Sequence, residues 1–303
     1  MSGSPQHAVH LEHQDAVEVE PLFRSHGLAV TRWKCRIRET GGRATIQHGC
    51  YVVKFVHTGA FRAALADGPV MVDATRTLLA APWEAFEVTK QFGPMVGGST
   101  IAISENAMSS IMPQWAERQS KLTKLLRAEI TPRAMLIQHM ILRQIEEGAP
   151  DQAVEDLIRA LAIEAFREPR VVPFPNRRQT AVPRRDAIEM AQAILAANYD
   201  GTVRLEDVAR AVDISPFHLC RAFKRMTGVH MRAYVTRLRL RAALGEVVDP
   251  RSSLAGIAHA HGFSSHSHFA SAFRKEFLIT PSEVRRLATR GVDELRLALG
   301  LEM

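Results

Sequence analysis

One pattern occurs twice in the last third of the chain, and it limits what can fold there more than any other feature. In the first copy Leu205, Val208, Ala209 and Val212 fall at helical spacing. Asp213 then stands where a turn needs a left-handed backbone, a conformation that Asp tolerates. Ser215 supplies a cap, Pro216 suits a first helical turn, Leu219 and Phe223 point inward, and Thr227-Gly228 closes the helix. In the second copy Leu254, Ile257 and Ala258 make the short helix, Gly262 the turn and Phe263 a buried position, and a helix opening at Ser265 carries Phe269 and Phe273. The offset is 49 residues at the turn and 50 beyond it, which aligns Leu219 with Phe269 and Phe223-Lys224 with Phe273-Arg274. Two tandem helix-turn-helix patterns predict an all-α module.

Between the copies, Met231, Tyr234, Val235, Leu238, Ala242 and Val247 keep helical spacing with Arg232, Arg237, Arg239 and Arg241 interleaved. About 18 helical residues span ~27 Å. Such a helix can hold two recognition helices about one duplex turn apart, ~34 Å, so that both enter major grooves on one DNA face. The charge agrees with a nucleic-acid partner. Residues 184–290 carry 17 Lys/Arg against 10 Asp/Glu, whereas residues 1–166 carry 17 against 18. The net charge of +7 therefore belongs to the C-terminal module and the segment leading into it.

The segment 168–185, with four prolines and five arginines, reads as an extended, solvated linker across which few contacts pass. Ahead of it the periodicity differs. From about 28 to 105, short apolar runs (LAVTRWKCRI, YVVKFV, GAFRAAL, VMV, TLLA, AFEV) are broken by turn signals, which predicts a small antiparallel barrel or sandwich. Trp33, Trp83, Phe55, Phe61 and Phe86 are expected in its core. From Thr131 the period is helical: Met135, Leu136, Met140, Ile141 and Ile145 form one apolar stripe, and Val154, Leu157, Ile158, Leu161 and Phe166 a second. These stripes serve either as a helical dimer seam or as packing against the barrel.

The length of 303 residues allows two domains, and 46% hydrophobic with 23% charged residues excludes disordered and fibrous classes. There is no apolar run of membrane-spanning length, and the first residues lack the basic and apolar regions of a secretory signal, so a cytoplasmic protein without membrane association is expected. Three cysteines, Cys35, Cys50 and Cys220, provide neither a disulfide framework nor zinc-ligand spacing.

The strings SPFHLCRAFKRMTG, RLRLRAA, IAHAHGFSSHSHFASAFRKEF and TPSEVRR resemble the paired helix-turn-helix domain of the AraC/XylS family of bacterial transcription regulators, over roughly 186–288. The resemblance implies an α+β chain: a cupin-like β-barrel sensor over 1–108, a helical dimerisation segment over 109–167, the linker 168–185, a seven-helix DNA-binding domain over 186–290 and a tail over 291–303. It implies a transcription regulator, an activator by family analogy, whose partners are promoter or operator DNA, RNA polymerase, a second copy of the chain and an unidentified small-molecule effector. The chain departs from the family at Asp213 and Leu278, where glycine is usual, and at Ser271, where arginine is usual.

Helix geometry selects contact residues without the family. With Leu219 and Phe223 buried, Phe217, Cys220, Arg221 and Lys224 face outward; Arg221 suits a bidentate bond to guanine and Phe217 a thymine methyl. With Phe269 and Phe273 buried, His266, Ser267, Ala270 and Ser271 face outward, with Arg274 in reach of phosphate. For each, a solvated surface residue is the plainer reading. Other candidates weigh less. His259, His261, His266 and His268 straddle a turn that sends them in different directions, and His48 and His57 lack further ligands, so no metal or cofactor is expected. Arg32 and Arg36 match a phosphate clamp, yet with Lys34 and Arg38 they read better as one solvated sheet face. The rivals to a non-enzymatic regulator are a cupin-type enzyme carrying a DNA-binding domain and a ligand-free dimeric DNA-binding protein.

Overall fold

The computed structural model of the chain describes residues 17–36, 44–65, 68–115, 131–167, 182–201 and 203–290. Its first part is an antiparallel sheet of β1 (Val17–Ser25), β2 (Leu28–Cys35), β3 (Ala44–Gln47), β4 (Tyr51–Leu65), β5 (Gly68–Val72), β6 (Leu78–Ala80) and β7 (Ala85–Ile103). The path runs β1-β2-β7-β4-β5, with β3 paired to β7 and β6 to β4. The long strands β4 and β7 form the spine, from Tyr51 opposite Ile103 to Ala64 opposite Glu87. Among the described residues no pairing joins β1 to β5, so the sheet curls without closing. Alternation along β4 divides the core: Tyr51, Val53 and Phe55 face the helices, while Val52 and Val56 face an inner core containing Trp33, Phe61 and Phe86. Trp83 departs from its expected place. It is 63% exposed and has φ +65°, because it turns the chain between β6 and β7.

Three helices cover the other face of the sheet: α1 (Glu105–Ile111), α2 (Pro132–Glu146) and α3 (Asp151–Phe166). At the start of α2 the Thr131 hydroxyl accepts from the Ala134 amide at 3.0 Å and Pro132 sits in the first turn. Both apolar stripes are spent within the chain. Met135, Leu136, Met140 and Ile141 of α2 and Val154, Leu157, Ile158, Leu161 and Phe166 of α3 are buried against the sheet and the C-terminal helices. Of the two readings of these stripes, packing is the one observed.

The C-terminal part comprises α4 (Val182–Ala197), α5 (Leu205–Ala211), α6 (Pro216–Thr227), α7 (Met231–Val248), α8 (Leu254–Ala260), α9 (His266–Phe277) and α10 (Pro281–Arg290). The expected linker ran to residue 185, but α4 already begins at Val182. Pro183 falls in the first helical turn, where a missing amide costs nothing. The rest of that linker, 168–181, lies outside the described residues, as does the tail 291–303.

The two parts share cores, contrary to the expectation that few contacts would cross between them. Leu240, Ala243, Leu244, Val247 and Val248 of α7 belong to one buried cluster with α2, α3 and the sheet. Ala60, Met71 and Phe92 of the sheet join Ile188, Leu195, Leu219 and Phe223 in another. Polar contacts follow the same seam. The Tyr234 hydroxyl donates to the Asp73 carboxylate. Arg241 donates to the Ala74 carbonyl at 2.8 Å, and Arg62 pairs with Asp186 at 2.7 Å and Glu189 at 2.5 Å. The composition of a linker reports its own stiffness and not whether the surfaces it joins are complementary, which is why the sequence misled here.

Candidate nucleic-acid interface

Two helices carry the candidate residues, and their ends are fixed by the same chemistry. At α6, Ser215 caps the His218 amide, Pro216 occupies the first turn, and Gly228 closes the helix at φ +80°. At α9, Ser265 caps the His268 amide at 3.1 Å, and Leu278 takes the closing position at φ +62°. The preceding turns are left-handed as expected, with Asp213 at φ +53° and Gly262 at φ +72°. Leu219 and Phe223 anchor α6, and Phe269 and Phe273 anchor α9, all four being fully buried.

Burial of those anchors turns the other face of each helix outward. Phe217 is 65% exposed, Arg221 and Lys224 are exposed, and Cys220 is half-buried. The Arg221 guanidinium lies 5.6 Å from the centre of the Phe217 ring, one helical turn away, so the ring steadies the cation without neutralising it. On α9, His266, Ser267, Ser271 and Arg274 are exposed and Ala270 is half-buried. No carboxylate pairs with Arg221, Lys224 or Arg274 among the described ion pairs, which leaves them available to phosphate or base edges. The residues expected to face outward lie on the outer side of their helices, with Cys220 and Ala270 partly covered.

The remaining candidates do not gather into sites. His261 is buried and bonds Glu246 at 2.8 Å, His268 sits edge-on to Phe263, and His266 faces solvent. Among the described residues no group of three or more potential ligands stands together. Arg32 is held by Glu20 at 3.1 Å and Glu146 at 3.2 Å, so it is tied to its own sheet and to α2. The thiols Cys35 and Cys50 are buried, and burial pushes Cys50 up to about 11. Lys54 has no sequence signal but is distinctive. Its ammonium is buried on the inner face of the sheet, 4.3 Å over the Trp33 ring and 3.2 Å from the Thr100 hydroxyl to which it donates, and burial pulls it down to about 8.

Contacts that sequence reasoning missed surround α7. Arg237 and Arg241 reach Glu276 of α9 at 3.2 Å and 3.5 Å. Burial pulls the Arg241 guanidinium down while Glu276 favours its charge. Since Arg241 also bonds the Ala74 carbonyl, one side chain touches the sheet and the α9 helix at once. The only sequence signal was the run of arginines interleaved with apolar residues, which does not say what each arginine meets.

Among known proteins, a family model described as a helix-turn-helix domain matches residues 208–287. Regulatory protein PocR of Salmonella typhimurium is 33% identical over 104 residues, 34% of each chain. The HTH-type transcriptional activator RhaS of Escherichia coli O139:H28 is 32% identical over 99 residues, 33% of this chain and 36% of that one. The chain thus spans about a third of the length of the curated relatives it matches. A solved transcriptional regulator structure from Chromobacterium violaceum, with an AraC-type DNA-binding domain, is 31% identical and covers 36% of this chain and 98% of its own, with a TM-score of 0.33. The matched segment takes in α6 to α9 with parts of α5 and α10, and over it the chain is similar to the helix-turn-helix domains of these regulators.

Proposed function

We propose that the chain is a sequence-specific DNA-binding transcription regulator. In this reading α5–α6 and α8–α9 are two helix-turn-helix readers, and the curled sheet is a cupin-like sensor for a small-molecule effector. The carrying observation is that α6 and α9 present equivalent, outward-facing polar and basic positions 50 residues apart, Lys224 answering to Arg274, at either side of the single helix α7. Direct readout falls to Arg221 and Phe217 on the first reader and to His266, Ser267 and Ser271 on the second. Lys224 and Arg274 hold phosphate. Cys220, half-covered, borders the first contact face.

The partners in this reading are double-stranded promoter DNA, RNA polymerase, an effector and a second copy of the chain. That copy docks elsewhere than on the buried stripes of α2 and α3. The relative RhaS is named as an activator, which supports the same sign of regulation here. The chain acts by binding and catalyses nothing. An effector works by favouring one arrangement of sheet and α7, since Tyr234 and Arg241 of α7 bond Asp73 and Ala74 of the sheet. Selection of random duplexes by the purified chain, followed by fluorescence anisotropy on the winners, is the test. An enriched sequence of two half-sites about one turn apart is expected; a pool that stays random overturns the reading.

A further inference from the structure

The helix α7 changes partners at one residue. Tyr234 and Leu238 pack with α4, α5 and α6 in the cluster of the first reader. Leu240, Ala243, Leu244, Val247 and Val248 pack in a different cluster with α8, α9 and α10, which also takes in α2, α3 and the sheet. The two readers therefore have separate apolar cores, joined by α7 and by the sheet on which both pack, and the offset between them depends also on the polar contacts that bridge one reader to the other. Arg239 sits at the changeover. Its Nε donates to the Tyr199 carbonyl at 2.6 Å and its Nη2 to the Gly201 carbonyl at 2.9 Å, both in the turn that leads from α4 into α5. Its Nη1 donates to the Gly262 carbonyl at 2.6 Å, in the turn of the second reader.

We infer that Arg239 is a positioning residue that locks the two readers at one separation and thereby selects the spacing of the two half-sites in the DNA. Three carbonyls from two units converge on one planar fork, which fixes direction as well as distance in a way that a single ammonium does not. Gly262 is fitted to that role. A Cβ there would stand 2.8 Å from the Arg239 Cζ and 2.9 Å from its Nη2, so the turn admits the guanidinium only because it lacks a side chain. The corresponding turn residue of the first reader, Asp213, has a left-handed backbone too, yet among the described residues no guanidinium bonds its carbonyl. That difference accounts for a residue with a side chain being accepted in one turn beside glycine in the other.

The inference rests on the two-reader reading, so the test separates them. With full-length chain and the operator selected from random DNA, half-site separation is changed by one base pair at a time, each step moving the second site by about 3.4 Å and turning it by about 35°. Wild type is expected to lose about tenfold in affinity per step, whereas Arg239→Lys and Arg239→Gln lose about threefold or less, with binding to the first half-site alone unchanged. A flat spacing profile for wild type, or variant profiles that overlay a steep wild-type one, overturns the inference. A second readout needs no DNA. Spin labels at Arg225→Cys and Lys275→Cys, equivalent exposed positions on α6 and α9, are placed in a Cys220→Ser chain and their distance distribution is measured. A narrow distribution that broadens on Arg239→Lys supports the staple, and an unchanged width overturns it. Failure to select any DNA, with the label result intact, sinks the regulator reading alone.

Discussion

At Ser271 the chain carries a hydroxyl where the AraC-type domains it resembles usually have a guanidinium, and in the proposed reading the two helices are expected to read DNA unequally for that reason. Arginine pairs with guanine for ~1 to 3 kcal/mol of discrimination, while serine offers one weaker bond to any of several bases. Arg221→Ala is therefore expected to remove about 1 to 3 kcal/mol of preference for the operator over scrambled DNA, and Ser271→Ala less than ~1 kcal/mol. Equilibrium binding of both variants at fixed salt measures this, and equal losses would show that the second helix reads as much as the first. These outward residues were legible in the sequence because buried Leu219, Phe223, Phe269 and Phe273 fix the rotation of each helix. Lys54 was not legible, since nothing in the string YVVKFV says that its lysine points inward. Its burial gives a stability signature. Between about 8 and the ordinary value of 10.5 the unfolded chain holds a proton on Lys54 that the folded chain lacks, so stability rises with pH there. Cys50 acts oppositely, because between 9.0 and about 11 the folded chain keeps a proton that the unfolded chain has lost. Lys54→Met is expected to raise stability at pH 7 by roughly 1 to 3 kcal/mol and to remove the rise, leaving the Cys50 fall exposed. Urea unfolding of both proteins across pH 7 to 11 is the measurement, and parallel curves would mean that Lys54 reaches water.

Element ends divide into those that chemistry punctuates and those it does not. Helix α6 and the start of α9 were legible to within a residue or two because Ser215, Pro216 and Ser265 open them and Gly228 closes the first, whereas α5 and α7, which open at Arg204 and His230 without a side-chain cap, were placed by apolar spacing alone. Strands were less legible, for two physical reasons. The edge strand β1 is mostly exposed and carries Pro21, so no apolar run announces it. In β4, Gly59 reads as a break but is a kink inside one strand, with φ +72° beside a shift in register against β7. Gly98 in β7 is there for close approach: a Cβ would lie 1.9 Å from the Phe55 carbonyl oxygen. The end of α9 gives this scale its prediction. Leu278 holds φ +62° and is 87% exposed, so it carries the left-handed cost while burying almost nothing, whereas Gly228 closes α6 free of that cost. Leu278→Gly relieves ~1 to 2 kcal/mol of backbone strain and returns about 0.5 to 1 kcal/mol through a freer unfolded chain. A net gain of about 0.5 to 1 kcal/mol in urea unfolding is expected. A loss would show that the leucine side chain has a contact worth more than the strain.

In the whole molecule, charge and apolar burial are distributed differently, and that difference sets what a truncated chain can do. The excess of basic residues lies in 184–290, and α6 and α9 hold the proposed contact residues there. The cores are shared: α7 packs on α2 and α3, and the first reader on Ala60, Met71 and Phe92. Charge partition was legible by counting, but shared burial was not, because it depends on complementarity between faces far apart in sequence. A fragment beginning at Gln179 keeps every proposed phosphate contact but loses the sheet, α2 and α3 from the cluster that holds the C-terminal half of α7, and it loses the Asp73 acceptor of Tyr234. Each apolar side chain returned to water costs ~1.5 to 3 kcal/mol, which is a large fraction of the stability of a ~100-residue module. The full chain is therefore expected to melt in a single transition, and the fragment at a clearly lower temperature with its helices still formed below it. Counted per chain bound, the log of operator affinity should fall with the log of salt with the same slope in both, about −0.9 per phosphate contact, because every proposed contact lies within the fragment. Calorimetry and salt-dependent anisotropy decide the matter. Two separate transitions in the full chain would mean that the seam is too weak to couple the parts, and a shallower slope in the fragment would place part of the DNA contact on the sheet domain.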